Sequence, residues 1–248
     1  MMDLREVALR DGQVEGGAGH WRLILPASSA PTYMDAQLDD YAGKPRRTYP
    51  WKPGLTLALR ARFSHEREEL AGTAGFGFWN APFGAPDIRR PALPQAAWFF
   101  YASPPTDLPL SPTPPGRGWF AATLDAGSWR ALRLAPLSPV LLLLNQFATM
   151  RRRVWPWVRE ALGVEYAGIS SDMCQWHEYH LSWQAEGCVF TVDGQPILAT
   201  SHSPRGPLGF VCWLDNQYLV ATTQGRIQAG VLPIRQRQWL EVSDLTIR

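Results

Sequence analysis

The segment Tyr33–Tyr41, YMDAQLDDY, gathers Asp35, Gln37, Asp39 and Asp40 within a few residues. If it is extended, period-two alternation puts Asp35, Gln37 and Asp39 on one face. Three side-chain oxygens together suit a hard cation, but the spacing is not that of an EF-hand loop, and a solvated polar edge is the plainer reading. Alternation pairs His177 with Tyr179 in WHEYHLSW, and Trp213 with Asp215 in GFVCWLDN. Histidine and carboxylate side chains are the usual carriers of protons in catalysis, so Asp215, His177 and Asp39 are the candidate acids and bases. Asp215 is followed by Asn216 near a strand end, where turn-forming hydrogen bonds explain both equally well. Rings are the second resource: Phe78, Trp79 and Asn80 lie in GFGFWN. WFFYAS presents either Trp98 and Phe100 or Phe99 and Tyr101 to one face. Such rings stack on the C–H surfaces of sugars while amides and carboxylates take the hydroxyls.

The chain that must position these groups has 248 residues, with twelve Trp, seven Tyr and ten Phe. Rings in that number fill a core or line a ligand groove. Twenty-four Lys and Arg against 22 Asp and Glu leave a net charge of +2. So weak a surplus argues against a nucleic-acid partner, whose affinity rests on many phosphate contacts. Cys174, Cys188 and Cys212 are too few and scattered for a disulfide framework or a zinc site, and read as buried free thiols in a reducing compartment. No apolar leader precedes Gly19, and Val140–Leu144 is far shorter than the ~20 residues of a membrane span. A cytoplasmic chain without a membrane span is the expectation.

Pro and Gly break the sequence into short segments rich in β-branched and aromatic residues. Strands are expected at Leu55–Phe63, Gly75–Asn80, Ala97–Ala102, Trp119–Leu124, Glu178–Gln184 and Val189–Val192. Further ones are expected at Gly209–Leu214, Leu219–Thr223 and Trp239–Ile247, with Asp193-Gly194 as a two-residue hairpin turn. Two Pro-rich loops, Ala81–Pro94 and Ser103–Gly118, connect strands. Ser138-Pro139 opens a helical insertion over about 139–163 that Pro156 should break or restart. Burial of its leucines on the parent domain is the expectation; an amphipathic membrane-surface helix over Leu141–Val154, with its Arg triplet, is the alternative.

The stretch WHEYHLSWQAEGCVFTVDG, Trp176–Gly194, resembles a strand–turn–strand element of concanavalin A-like lectin/glucanase sandwiches, nearest to the family sixteen glycoside hydrolases. RGPLGFVCWLDN and the terminal WLEVSDLTI are similar to later strands of that family, and GTAGFGFWNAPFG to an earlier one. The resemblance implies an all-β, concanavalin A-like jelly-roll sandwich of two antiparallel sheets over 1–248, with 1–50 packed on it. It also implies a concave groove. Carried over residue by residue, His177, Tyr179, Trp213 and Asp215 would line it, with Asn80, Trp79 or Phe78, Trp98 or Tyr101, and Asn216. Asp244 stands where the family often has a structural calcium ligand; no other cofactor is implied.

The family's hydrolytic motif, ExDxE on one strand, is missing: the corresponding strand is Gln95–Ser103, QAAWFFYAS, without a carboxylate. If the N-terminal segment crosses the groove, Asp39 or Gln37 reaches Asp215 and supplies a different proton-transfer pair. The expected function is a glucanase-like binder of a glycan or glycoside. The alternatives are an enzyme of non-standard mechanism, or a binder of a small apolar ligand beneath the helical insertion.

Overall fold

Leu55–Phe63 alternates buried Leu55, Leu57, Leu59, Ala61 and Phe63 with more exposed Thr56, Arg60 and Arg62, and forms a strand over the whole of its length. The same patterning builds the rest of the protein. The computed structural model describes residues 3–29, 32–82, 91–111 and 115–248; the remaining parts of the two Pro-rich loops lie outside these residues.

Sixteen strands form among the described residues, numbered in chain order. The first eight are β1 (Arg5–Leu9), β2 (Gln13–Gly17), β3 (His20–Leu25), β4 (Asp35–Asp39), β5 (Leu55–Phe63), β6 (Thr73–Trp79), β7 (Gln95–Ala102) and β8 (Gly118–Asp125). Helices α1 (Trp129–Leu134), α2 (Ser138–Asn145) and α3 (Ala148–Ala161) follow. Then come β9 (Glu165–Gly168), β10 (His177–Gln184), β11 (Gly187–Val192), β12 (Gln195–Thr200), β13 (Gly209–Asp215), β14 (Gln217–Ala221), β15 (Ile227–Val231) and β16 (Gln238–Ile247).

One seven-stranded sheet runs β1-β4-β13-β6-β7-β8-β9 and a second runs β12-β11-β10-β5-β16-β3-β2, while β14 and β15 form a separate hairpin. Every ladder between these strands is antiparallel. The result is the all-β, jelly-roll-like sandwich with a helical insertion that the sequence leads one to expect. The first 39 residues contribute β1 and β4 to one sheet and β2 and β3 to the other. The expected turn closes the β11–β12 hairpin, with Asp193 and Gly194 both at positive φ (50° and 74°), a conformation that glycine adopts without steric cost.

Between the sheets, Phe76, Phe99 and Trp119 of the first sheet meet Phe63, Tyr179 and Phe190 of the second. The thiols are unpaired; Cys188 and Cys212 are buried, and Cys174 is only half-buried. The insertion begins earlier than expected, because the Ser128 side chain accepts a hydrogen bond from Ala131 N (3.1 Å) and caps α1. Pro156 lies inside α3 instead of breaking it. The leucines do not bury on the sheet: the helices pack chiefly on one another, leaving Leu142, Leu143 and Phe147 exposed.

Candidate functional site

The outward face of the first sheet collects the chemistry. Ala36, Leu38, Cys212 and Leu214 point into the core, so alternation sends Asp35, Gln37, Asp39, Trp213 and Asp215 to the other side. The strand register then assembles three rows. Gln37, Trp213, Gly75, Phe100 and Phe120 stand opposite one another across β4, β13, β6, β7 and β8. Asp39, Val211, Gly77, Trp98, Ala122 and Tyr166 form a second row. Asp35, Asp215, Thr73 and Ala102 form a third, at one end of the sheet.

The open register of WFFYAS resolves here: Trp98 and Phe100 face outward, Phe99 and Tyr101 inward. Trp79 and Trp213 lie parallel, 6.2 Å apart with 3° between their planes. Trp98 sits 5.9 Å from Trp213 and 6.0 Å from Trp79, and Phe100 5.4 Å from Trp213. The glycine at position 75 makes room for this cluster. A Cβ there would stand 2.8 Å from Trp213 Cη2 and 2.2 Å from the Phe99 carbonyl oxygen. The indole nitrogen of Trp98 is buried with no acceptor among the described residues, in a class of group that folded proteins normally satisfy.

Polar networks flank the rings. Trp213 Nε1 donates to Thr73 Oγ1 (3.0 Å), which donates to Asp215 Oδ1 (2.9 Å). Gln217 donates to Asp215 through its backbone N (3.0 Å to Oδ1) and its Nε2 (2.7 Å to Oδ2). Burial raises the Asp215 pKa to about 6, against the pull of these donors. Asp35, directly opposite, is also buried, but no donor among the described residues reaches its carboxyl. Burial, reinforced by the charges of Asp215 and Asp39, lifts its pKa well above the usual carboxylate range. Both carboxyls are thus pushed up by burial, Asp35 without compensating donors and Asp215 with Thr73 and Gln217 drawing it back.

Beyond them, Gln37 Nε2 donates to Asp39 Oδ2 (2.8 Å), and Trp79 Nε1 to the Tyr41 hydroxyl (2.8 Å). Asp39 Oδ1 accepts from the backbone of Tyr41 (3.1 Å) and Ala42 (2.7 Å). The neighbour of Asp215 is thus Asp35; Gln37 stands opposite Trp213 and Asp39 opposite Val211.

Several expected groove residues lie elsewhere. His177 and Tyr179 belong to the second sheet: alternation assigns a side of a strand but not the sheet it joins. Tyr179 packs between the sheets, and His177 ties the Asp193 carboxylate (2.5 Å) to the Asp172 carbonyl (2.9 Å). Phe78 and Tyr101 face the core, Tyr101 donating to the Leu70 carbonyl (2.9 Å). Asn80 donates to the Leu93 carbonyl (2.8 Å) and accepts from Gln95 N (3.1 Å), pinning a loop. Asn216 does the same, donating to the Thr32 and Leu232 carbonyls (2.9 and 2.8 Å). Asp244 occupies an exposed bulge of β16 at φ 56°, its carboxylate 4.0 Å from the Arg60 guanidinium and accepting from Ser243 Oγ (3.0 Å). The two groupings of metal-ligating side chains among the described residues are Glu66, Asp172 and Cys174, and Glu160, Glu165 and His202.

No protein-family model matches the sequence, and no curated protein matches it. Among solved structures, the carbohydrate recognition domain of Emp47p overlays with a TM-score of 0.49 at 10% identity, over 98% of this chain and 87% of that one. A family 16 glycosyl hydrolase from Mycobacterium smegmatis gives 0.44 at 14% identity, over 100% of this chain and 92% of that one. An endo-β-galactosidase from Clostridium perfringens that releases GlcNAcα1-4Gal gives 0.47 at 12% identity, over 93% of this chain and 53% of that one. At these identities and scores the likeness is one of chain path.

Proposed function

We propose that the outward face of the first sheet binds a carbohydrate. One observation carries this reading: Trp79, Trp98, Trp213 and Phe100 gather on one side of the sheet, with Asp35 and Asp215 at its end. Flat rings offer stacking surfaces for the C–H faces of a sugar, a protonated carboxyl donates to a hydroxyl, and an ionised one accepts from it. Trp98, Phe100 and Trp213 are largely covered, so half-buried Trp79 is the ring of the cluster most open to a ligand.

A second reading, hydrolysis, draws on the direct cross-strand pairing of Asp35 and Asp215, whose carboxyls have different hydrogen-bond surroundings. Residues directly opposite in an antiparallel ladder have Cβ atoms about 4.5–5.5 Å apart. A carboxyl separation of ~5–5.5 Å is the spacing of a retaining glycosidase pair. In that reading Asp35 is the acid and Asp215 the carboxylate, and the pair replaces the motif that β7 lacks.

The test is thermal-shift stabilisation against short oligosaccharides, β-glucans and apolar small molecules, since a ligand that binds only the native state raises the melting temperature. Stabilisation by an oligosaccharide is the expected result. Stabilisation by apolar compounds alone overturns the reading and gives the face to a small apolar ligand.

A further inference from the structure

The helical insertion carries a surface that neither the sandwich nor the ring cluster uses. Val140, Leu143, Phe147, Met150 and Trp157 are exposed on α2, α3 and the turn between them, Leu143 at 63% and Phe147 at 59% of full exposure. Trp129 and Leu132 of α1 are exposed as well. So many large apolar side chains exposed within one short segment point to a partner.

The charge around this patch is of one sign. Residues 129–162 hold six arginines against one glutamate, in a chain whose whole net charge is +2, so the remainder of the protein is net acidic. Glu160 is shared between Arg130 (3.4 Å) and His202 (3.2 Å). Arg152 and Arg153 are exposed and pair with no carboxylate among the described residues. Arg133 lies over the Trp129 ring at 4.0 Å, a cation against an aromatic side chain of the kind that settles at a membrane–water boundary. The insertion is also braced on the body. Gln146 Nε2 donates to the Gln224 carbonyl (2.9 Å) in the β14–β15 turn, where Leu142 lies beside Gly225.

We propose that the insertion is a docking surface for an anionic lipid bilayer, its exposed Leu, Phe and Trp side chains entering the interface and its arginines meeting lipid phosphates. Apolar side chains beside a cluster of arginines fit that partner, because burial of the first and attraction of the second act together. The contact is peripheral: no helix among the described residues is long and apolar enough to cross a membrane.

The experiment is flotation of the full chain with vesicles of phosphatidylcholine alone and with an equimolar mixture of phosphatidylcholine and phosphatidylserine. The protein is expected to float with the mixed vesicles and not with the neutral ones. Arg152→Gln and Arg153→Gln each weaken the partition roughly fivefold. Leu143→Gln with Phe147→Gln abolishes it while leaving the melting temperature unchanged, since both side chains are exposed. Absence of flotation, equal flotation with neutral vesicles, or insensitivity to these variants overturns the proposal. A concentration-dependent dimer that Leu143→Gln dissolves, without vesicle binding, overturns it in favour of a second copy.

Discussion

Asp35 and Asp215 stand directly opposite each other across the β4–β13 ladder, on the outward face, and among the described residues hydrogen-bond donors converge on Asp215 alone. Two buried carboxyl groups in one row cannot both ionise cheaply. Thr73 and Gln217 favour the charged form of Asp215, while burial and the facing carboxylates push Asp35 toward its protonated form. The same row adjoins the stacked rings of Trp79 and Trp213, so the polar end and the aromatic floor form one continuous face.

This division makes stability depend on pH with a definite sign. The folded-state pKa of Asp35 is raised, so the native state holds a proton that the unfolded chain releases above its ordinary value of 3.8. Stability is then fully present below that value and is lost as pH rises, by about 1.4 kcal/mol per unit until the folded pKa is reached. Asp35→Asn removes the group, so the variant is expected to be more stable than the native protein at pH 7 and to lose that advantage below the ordinary aspartate range. Urea denaturation at both pH values checks this, and an advantage independent of pH contradicts it.

Glu241 responds in the opposite direction. It is buried on the outward side of the second sheet and accepts from His20 (2.8 Å), Arg22 (2.9 Å) and Arg62 (2.8 Å), which hold its carboxyl below the usual range against the cost of burial. A depressed pKa contributes stability above the unfolded value and loses it as pH falls. Glu241→Gln is expected to cost on the order of 2 kcal/mol at neutral pH, from charge-assisted hydrogen bonds, and progressively less in acid. Denaturation midpoints across that range measure it.

Gly75→Ala tests the packing of the ring cluster. The added methyl meets the Phe99 carbonyl and the Trp213 ring well inside contact distance, and neither can withdraw without moving β7 or displacing the stack. A loss of roughly 1–3 kcal/mol is expected, as for other overpacked interiors. It should be accompanied by a change in the near-ultraviolet circular dichroism of the rings. An unperturbed spectrum contradicts the stacked arrangement.

The strand at Leu55–Phe63 was legible because it alternates along its length, that at Trp239–Ile247 because apolar residues alternate on either side of its bulge, and Asp193-Gly194 because the turn chemistry is local. The strands before residue 40 were not: β2, QVEGG, is short and polar, and holds its place by pairing with β3. Trp98 and Tyr101 could not be told apart because WFFYAS is apolar on both faces, one toward the core and one toward the second ring cluster. Asp35 escaped notice as a partner of Asp215 because cross-strand register between segments so far apart in sequence leaves no local mark. The leucines of the insertion read as buried because an apolar run does not say whether it meets the sheet or stands away from it.

The most direct test of the carbohydrate reading is titration calorimetry of short oligosaccharides into the native protein, Trp79→Ala and Trp176→Ala. Trp79 belongs to the ring cluster, whereas Trp176 lies against Arg60 and Arg62 on the other sheet. A single stacking ring contributes about 0.5–1.5 kcal/mol, which is up to about tenfold in affinity. The account predicts that an oligosaccharide binds the native protein and Trp176→Ala alike and binds Trp79→Ala about tenfold more weakly. Binding that survives Trp79→Ala unchanged, or no sugar binding at all, contradicts it.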